Sequence, residues 1–274
     1  MDFPKNEDGG WIIPAGTEIP VGTEIPDFSV LGTGCKLGDG CNLGDGCGLG
    51  DYCRLGSYCV LGEYCRPSNW CSLGDDCRLG YGCKLGDRCK LGDRCKLDGS
   101  CELGDGCELG AYCALGDECP LGNRCKLGNG CVLGNNCELG NDCVLGTGCK
   151  LGNDCELDDW CELDDNCVLG NGCRLGSFCA LGDYCDLGDR CVLGNWCKLG
   201  NGCELGTDCE LDGNCVLGDG SRRQITIVSD GRETYVRAGC FYGTAEEFCR
   251  CAAKEGKHAY VAVVRGLVAA WENE

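Results

Sequence analysis

Cysteine recurs at every sixth position from Cys35 to Cys215 without a gap, and this spacing accounts for thirty-one of the 34 cysteines. Thiolates bind soft metals such as Cu(I) and Zn(II), and thiols also support redox chemistry. The chain has no Cys-x-x-Cys pair that would cluster sulfur donors locally. The simpler interpretation is that free cysteine is a small apolar side chain, readily buried, which suits a crowded interior.

The cysteines belong to a repeated unit, Cys-x-Leu-Gly-Asp/Asn-x, in which Leu fills the third place from Leu37 to Leu217 except at Pro67. Cys and Leu lie two residues apart, so in an extended strand both point to one face. We expect the Gly and Asp/Asn that follow to form a corner, because they tolerate turns and positive φ. Short strands and corners in succession must coil, and stacked coils bury Cys and Leu.

The Leu-Gly-x-x-Cys pattern resembles the hexapeptide-repeat family, in which an aliphatic residue and a small residue recur at this spacing. The match runs from Thr17 to Gly220, with Thr17, Thr23 and Ser29 in the cysteine slot of the first units. The resemblance implies an all-β fold, a left-handed parallel β-helix that forms a triangular solenoid with three hexapeptides, hence eighteen positions, in each coil. We expect an N-terminal cap over 1–16, the β-helix over 17–220, and a small α+β capping module over 221–274.

Three units per coil sort the cysteines into three ladders that begin at Cys35, Cys41 and Cys47. Neighbours in a ladder lie about 4.8 Å apart at Cα, but parallel in-register residues keep their Cβ atoms farther apart than the roughly 3.8 Å of a disulfide. We therefore expect mostly free, buried thiols. The first ladder consists of Cys35, Cys53, Cys71, Cys89, Cys107, Cys125, Cys143, Cys161, Cys179, Cys197 and Cys215.

The enzymes of the hexapeptide-repeat family, which this pattern resembles, are mostly acyltransferases, which use a histidine as general base, or carbonic anhydrases, which bind zinc through three histidines. This chain has one histidine, His258, which lies outside the repeats. We therefore predict no catalytic residue, no cofactor and no metal site. Soft-metal binding by the thiols stays open as an alternative, because Cu(I) and Zn prefer sulfur.

Aromatic residues in the sixth place favour one corner of the triangle. Exposed aromatic side chains can mark a protein or glycan partner, or can stiffen the corner by stacking on one another. The candidate partner-contact edge consists of Tyr52, Trp70, Trp160, Phe178 and Trp196.

The formal charge of the chain is −20, and residues 221–274 contain nearly equal numbers of basic and acidic residues, so the excess lies in the repeats. An acidic surface keeps a protein soluble and repels nucleic acid and anionic membranes. The opening residues lack the pattern of a secretory signal, and no stretch approaches the roughly 20 apolar residues of a membrane helix. We therefore expect a cytoplasmic protein with reduced thiols and with neither nucleic acid nor membrane as a partner.

The two ends should cover the open strand edges of the solenoid. Residues 224–241 alternate like two strands around an Asp230–Gly231 turn, and Thr244 is a plausible N-cap for a helix ending near Gly256. Residues 258–274 fit a strand or a helix. The tail resembles a short module of phage-encoded repeat proteins, which would make virion association conceivable, and we expect self-association through it as a trimer or dimer.

These observations favour a non-enzymatic structural scaffold, a rigid acidic rod with a buried cysteine core and a C-terminal assembly module. The alternatives are a thiol-based Cu or Zn binding protein and an interaction module that uses the aromatic edge.

Overall fold

A computed structural model of the chain describes residues 3–200, 202–206, 209–211, 216–218, 224–229, 234–238, 241–254 and 264, and the statements below concern these residues. The chain divides into a first compact unit, Met1–Leu151, and a second, Gly152–Glu274. No helix within the described ranges has the length and apolar character that crossing a bilayer requires.

The first unit contains twenty-four strands of two residues, three to a coil, so it holds eight coils. Each strand takes the second and third places of the repeat unit, with the third place buried. The strands are β1 (Ile12–Ile13), β2 (Glu18–Ile19), β3 (Glu24–Ile25), β4 (Val30–Leu31), β5 (Lys36–Leu37), β6 (Asn42–Leu43), β7 (Gly48–Leu49), β8 (Arg54–Leu55), β9 (Val60–Leu61), β10 (Arg66–Pro67), β11 (Ser72–Leu73), β12 (Arg78–Leu79), β13 (Lys84–Leu85), β14 (Lys90–Leu91), β15 (Lys96–Leu97), β16 (Glu102–Leu103), β17 (Glu108–Leu109), β18 (Ala114–Leu115), β19 (Pro120–Leu121), β20 (Lys126–Leu127), β21 (Val132–Leu133), β22 (Glu138–Leu139), β23 (Val144–Leu145) and β24 (Lys150–Leu151).

Every third strand pairs in parallel, as Lys36 does with Arg54, so one coil contains three repeat units and the predicted coil length is confirmed. Successive coils therefore build a three-sided parallel solenoid, whose left-handed winding stays a prediction. On one side the regular strand pairing ends at β10 and resumes at β13. Backbone bonds from Lys84 N to Cys65 O (2.9 Å) and from Gly86 N to Pro67 O (2.8 Å) still join these coils.

The corners differ from the prediction. Positive φ falls on the sixth place of the unit, at Tyr58 (61°) and Trp160 (65°) for example, and on neither the fourth nor the fifth place. The expectation that Gly and Asp/Asn would supply it was wrong. Glycine fills the fourth place because coils approach closely there: a Cβ on Gly74 would lie 2.6 Å from the backbone nitrogen of Ser57. Its role is close backbone approach, and a side chain at this place, as at Ser68 and Asp98, needs a local shift.

Residues 3–11 lie against the first coil. Trp11 N donates to Ser29 Oγ (2.8 Å), and Asn6 Nδ2 donates to Phe28 O (2.7 Å). The rings of Phe3 and Trp11 pack at a centroid distance of 5.6 Å. Strand pairing begins at β1, upstream of Thr17, while the predicted domain boundaries stay predictions.

The second unit repeats the same architecture and then changes to antiparallel strands. Its strands are β25 (Glu156–Leu157), β26 (Glu162–Leu163), β27 (Val168–Leu169), β28 (Arg174–Leu175), β29 (Ala180–Leu181), β30 (Asp186–Leu187), β31 (Val192–Leu193), β32 (Lys198–Leu199), β33 (Glu204–Leu205), β34 (Glu210–Leu211), β35 (Val216–Gly218), β36 (Gln224–Ser229), β37 (Thr234–Ala238) and β38 (Phe241–Thr244), followed by the helix α1 (Ala245–Lys254).

The strands β35, β36, β37 and β38 pair antiparallel in that order and so extend one sheet of the solenoid. The two strands predicted after the repeats are present, and β38 is an additional strand. The predicted turn at Asp230–Gly231, the helix end at Gly256 and residues 258–274 apart from Val264 lie outside the described residues. Thr244 caps α1 as predicted: Glu247 N donates to Thr244 Oγ1 (3.3 Å), and Thr244 N donates to Glu247 Oε2 (3.0 Å).

Candidate functional site: cysteine ladders and aromatic edge

The ladder cysteines lie inside the coils. Those from Cys35 to Cys197 have no exposed surface, while Cys203 and Cys209 are partly exposed. None of these described cysteines forms a disulfide. Cys215, the last member of the first ladder, lies outside the described residues. The prediction of buried cysteines is therefore confirmed from Cys35 to Cys197.

Thiols along the ladders have a specific hydrogen-bond acceptor that sequence reasoning missed. The Sγ of Cys53 donates to Gly32 O (3.3 Å) and that of Cys77 to Gly56 O (3.3 Å), in each case the fourth-place carbonyl 21 residues earlier. Backbone N–H groups at the corners donate instead to third- and fifth-place carbonyls, such as that of Leu55. The cysteine slot therefore holds a small side chain that also donates to this carbonyl.

The units that precede Cys35 show that the slot accepts a different donor. Thr17 Oγ1 donates to Pro14 O (2.6 Å), and Ser29 Oγ donates to Pro26 O (2.7 Å). Both carbonyls belong to the fourth place of a repeat unit. In each case this is the unit that immediately precedes the unit of the hydroxyl. The Ser and Thr in this slot were the sequence signal that could have revealed the thiol hydrogen bonds.

Burial favours the protonated form of the ladder thiols. A hydrogen bond between ladder neighbours, however, raises the pKa of one thiol and lowers that of the other, as at Cys59, where the bond with Cys77 lowers the pKa to about 7. Burial raises the pKa of the Cys41 thiol. A hydrogen bond with Cys137, together with burial, raises the pKa of Cys119. A buried thiolate would be a charge among leucine side chains, and a metal ligand must be a thiolate. Among the described residues, no group of three or more His, Cys, Asp or Glu side chains is arranged to hold a metal ion.

The fifth-place Asp and Asn side chains bond one coil to the next. Asp39 Oδ1 accepts from Ser57 N (2.8 Å), and Asn153 Oδ1 accepts from Asn171 N (2.8 Å). The residue type is therefore explained by an interaction along the stack, since a carboxylate or amide oxygen reaches the N–H at the same place of the next coil.

In the first unit, the aromatic edge contains two stacked rings and a guanidinium. Tyr52 and Trp70 stack with centroids 6.3 Å apart and planes at 15°. The guanidinium of Arg88, which occupies the same place one coil after Trp70, lies 4.8 Å from the Trp70 ring centroid. We call these three residues the Trp70 stack. Arg88 was not predicted as a member, because the sequence was sorted for aromatic residues only.

In the second unit, three aromatic rings occupy the corresponding corner. Trp160 and Phe178 lie 4.4 Å apart at 6°, and Phe178 and Trp196 lie 6.5 Å apart at 3°. The three side chains are 55, 42 and 52% exposed. We call them the Trp160 stack. The stacking expected from their spacing of one coil is confirmed, and their role as a contact edge stays a prediction.

Carboxylates surround the start of the Trp160 stack. The segment 154–165, whose outward-facing residues are exposed, contains no lysine or arginine. Glu156 and Glu162 point outward from the strands on either side of the Trp160 corner. Glu156 has Arg174 at 3.7 Å as a partner. The acidic residues of the segment are Asp154, Glu156, Asp158, Asp159, Glu162, Asp164 and Asp165.

Parallel coils of three repeat units, with an aliphatic residue buried at every sixth position, define the class of protein as a β-solenoid built from hexapeptide units. The family described as bacterial transferase hexapeptide (six repeats) matches residues 118–153. The fold and this match together support a likeness to the hexapeptide-repeat β-helix family, with the sequence match confined to residues 118–153. No curated protein and no solved structure matches it.

Proposed function

We propose that this chain is a non-enzymatic structural scaffold. The observation that carries the proposal is that the repeated positions are already engaged within the stack. Leucines fill the core, thiols donate to corner carbonyls, and fifth-place oxygens accept from the next coil. A side chain that acts on a substrate must be available outside such contacts. A side chain that stiffens the stack must form these contacts within it.

A transferase role is the main competitor, because the matching family is named for bacterial transferases. The resemblance implies that such enzymes use a histidine as general base. Here the single histidine, His258, lies outside the repeats. We therefore propose that this chain uses the solenoid without the transfer chemistry.

Acyl transfer is directly testable. Full-length protein should release no coenzyme A from acetyl-coenzyme A above the background rate, with a panel of amine and hydroxyl acceptors. The matched variant His258→Ala should behave in the same way. Release that disappears in His258→Ala would overturn the proposal.

Hydrogen exchange tests the structural half of the proposal. Amide protons of second- and fourth-place residues donate from coil to coil, as Arg54 N does to Cys35 O (2.8 Å). We expect slow exchange for every coil within each unit, because opening one coil breaks bonds to its neighbours. A coil in the middle of a unit that exchanges at the rate of an unfolded peptide would contradict a scaffold.

Assembly through the C-terminal module belongs to the same proposal. Helix α1 buries Phe248 and Cys249 and exposes Glu246, Glu247 and Arg250, so a charged helix face is available to a second copy. We expect a trimer or a dimer by light scattering. Arg250→Glu should lower the mass toward that of a monomer, and Arg124→Glu in the first unit is the control. A monomer at all concentrations would remove assembly from the proposal.

The proposed setting is the reducing cytoplasm, because oxidised sulfur could no longer donate to the corner carbonyls. Metal analysis of protein purified without chelator addresses the alternative of thiol-based binding. We expect less than one Cu or Zn per chain. Several equivalents that resist dialysis would favour the metal-binding alternative, because they would require thiolates in the ladders.

A further inference from the structure

We propose that the Trp160 stack and the carboxylates around it bind arginine side chains of an extended, arginine-rich partner segment. This inference goes beyond the scaffold role and does not depend on it. Guanidinium groups suit such a surface, because they stack on aromatic faces and also donate to carboxylates in two-point contacts.

The first unit provides an internal example of this recognition. At its aromatic edge, Arg88 places its guanidinium 4.8 Å from the Trp70 ring centroid. At a neighbouring corner, Arg94 donates from Nε to Asp76 Oδ1 (3.0 Å) and from Nη2 to Asp76 Oδ2 (2.8 Å). The same chain thus satisfies an exposed ring and an exposed carboxylate with arginines from the next coil.

The Trp160 stack is built differently. The equivalent positions one coil after Trp160 and one coil after Phe178 hold further rings, so the chain supplies no guanidinium between them. Trp160 and Phe178 lie 4.4 Å apart, in close face contact, but Phe178 and Trp196 lie 6.5 Å apart with planes at 3°. Parallel rings at the larger distance are displaced or separated, so part of an aromatic face between them is uncovered.

Charge complementarity determines the kind of partner. Segment 154–165 has seven carboxylates and no basic residue, and its carboxylates flank Trp160. Among the described residues Glu162 has no cation within ion-pair distance, while Glu156 has Arg174. The exposed rings would attract an apolar or glycan ligand equally well, but the surrounding negative charge favours a cation and repels acidic peptides.

Spacing favours an extended segment. Alternate side chains of a β-strand lie on one face about 6.7 Å apart, since each residue advances about 3.3–3.4 Å. The separation of Phe178 and Trp196, 6.5 Å, is close to that repeat. An Arg-x-Arg segment along the corner can therefore present successive guanidinium groups to Phe178 and Trp196.

The experiment measures fluorescence polarisation of a labelled peptide of four Arg-Gly repeats with the full chain, beside a Lys-Gly peptide, a Glu-Gly peptide and a neutral oligosaccharide. We expect the arginine peptide to bind at least about fivefold more tightly than the lysine peptide, because ammonium groups do not stack in the same way. Binding should weaken as salt is raised from roughly 50 to roughly 200 mM.

Variants separate the rings from the charge. The double change Trp160→Ala/Trp196→Ala should weaken arginine-peptide binding about tenfold or more, and Asp158→Asn/Glu162→Gln about threefold or more. Tyr184→Ala, at another corner of the same unit where the side chain is 64% exposed, should leave it within about twofold. Hydrogen exchange of each variant confirms that the coils are intact.

The proposal would be overturned if the lysine peptide bound as tightly as the arginine peptide and the tryptophan substitutions left both affinities unchanged. Charge alone would then explain the binding. The proposal would also be overturned, in favour of a glycan partner, by a second result. In that result the protein binds the oligosaccharide but not the arginine peptide, and only the tryptophan substitutions abolish the binding. The scaffold proposal survives either result, because it depends on coil protection and the absence of acyl transfer.

Discussion

The first coil and the later coils of the first unit use different residues at equivalent positions. The fourth place holds Pro20 in the first coil and Gly38 in the coil above it. Gly38 N donates to Ile19 O (2.9 Å), and a Cβ on Gly38 would lie 2.7 Å from Val21 N. Proline is accepted at Pro20, because the described residues include no coil beneath it. The coil beneath therefore favours glycine at this place, although Ser68 and Asp98 also occupy it above another coil.

The cysteine slot shows the same contrast. Thr23 donates to Pro20 O (2.8 Å) within the first coil, while Cys41 donates to the same carbonyl from one coil above (3.1 Å). The slot holds a small donor in both coils, and hydroxyl and thiol both provide it. They differ in acidity, because only the thiol titrates near pH ~8.5.

The largest expected effect exploits this difference. Burial raises the pKa of Cys41, and a hydrogen bond with Cys137 together with burial raises that of Cys119. Above pH ~8.5 the unfolded chain loses thiol protons that these folded thiols retain, so their contribution to stability is complete below that pH and falls as the pH rises. At ~1.4 kcal/mol per thiol per pH unit, each such thiol costs about 1 kcal/mol by pH ~9.5, and several together remove several kcal/mol. Thiols whose pKa a ladder neighbour lowers, such as Cys59 (to about 7), contribute in the opposite direction.

The measurement is guanidinium unfolding under reducing conditions at pH 7.5 and 9.5. The control replaces cysteines of the first-unit Cys41 ladder by serine, which should reduce the pH dependence because serine does not titrate. An unfolding midpoint that is the same at both pH values would show that the ladders do not hold their protons.

The second prediction exchanges the residue types at the fourth place: glycine becomes proline in a later coil, and proline becomes glycine in the first coil. Gly74→Pro removes the bond from Gly74 N to Leu55 O (3.0 Å) and forces ring atoms against Ser57. We expect a loss of about 3 kcal/mol or more. Pro20→Gly in the first coil should cost less than about 1 kcal/mol, chiefly through the greater freedom of the unfolded chain. Equal losses in denaturant unfolding would mean that the coil beneath is not the cause.

Much of this architecture is predictable from the sequence, because the periodicity of Cys and Leu repeats over so many units. The register between coils and the stacking of Trp160 on Phe178 follow directly from it. The corner conformation follows less directly. Positive φ falls on sixth-place Gly, Asp and Asn, which tolerate it, but equally on Trp, Tyr and Arg, which have no local preference for it, so the strands on both sides impose the corner. The thiol–carbonyl bonds depend on groups from different coils, far apart in the sequence, which only the stacking brings together.

The third prediction tests whether the thiol is a donor or only a filler. Cys77→Ala loses both the side-chain volume and the bond to Gly56 O (3.3 Å), so we expect about 1–2 kcal/mol of destabilisation. Cys77→Ser keeps a donor and should lose less. If serine were as destabilising as alanine in denaturant unfolding, the slot would select for volume alone.

The fourth prediction concerns the bonds along the corners. Asp45 Oδ1 accepts from Glu63 N (2.7 Å), so Asp45→Ala should cost about 1 kcal/mol at this exposed site. Asp45→Asn keeps the oxygen and should be nearly neutral. Thermal unfolding of the two variants provides the comparison, and a similar loss in both would point to charge instead of the hydrogen bond.

The smallest effect concerns a corner where side chains pair with each other instead of with the backbone. The guanidinium of Arg94 holds the pKa of Asp76 below its usual range, through two hydrogen bonds. Because the folded pKa of Asp76 is depressed, the stability that this group contributes is present above the unfolded pKa and is lost as the pH falls through the folded value.

Both groups are solvent-exposed, so the free energy of unfolding should scarcely change when the pair is lost. The suitable measurement is the carboxyl ¹³C shift of Asp76 during a pH titration. Arg94→Gln should raise this pKa toward the ordinary range, whereas Arg94→Lys, which keeps the charge without the planar fork, should fall between the two. A titration of Asp76 that is identical in all three proteins would show that the outward side chains, unlike the inward ones, form no lasting contact between coils.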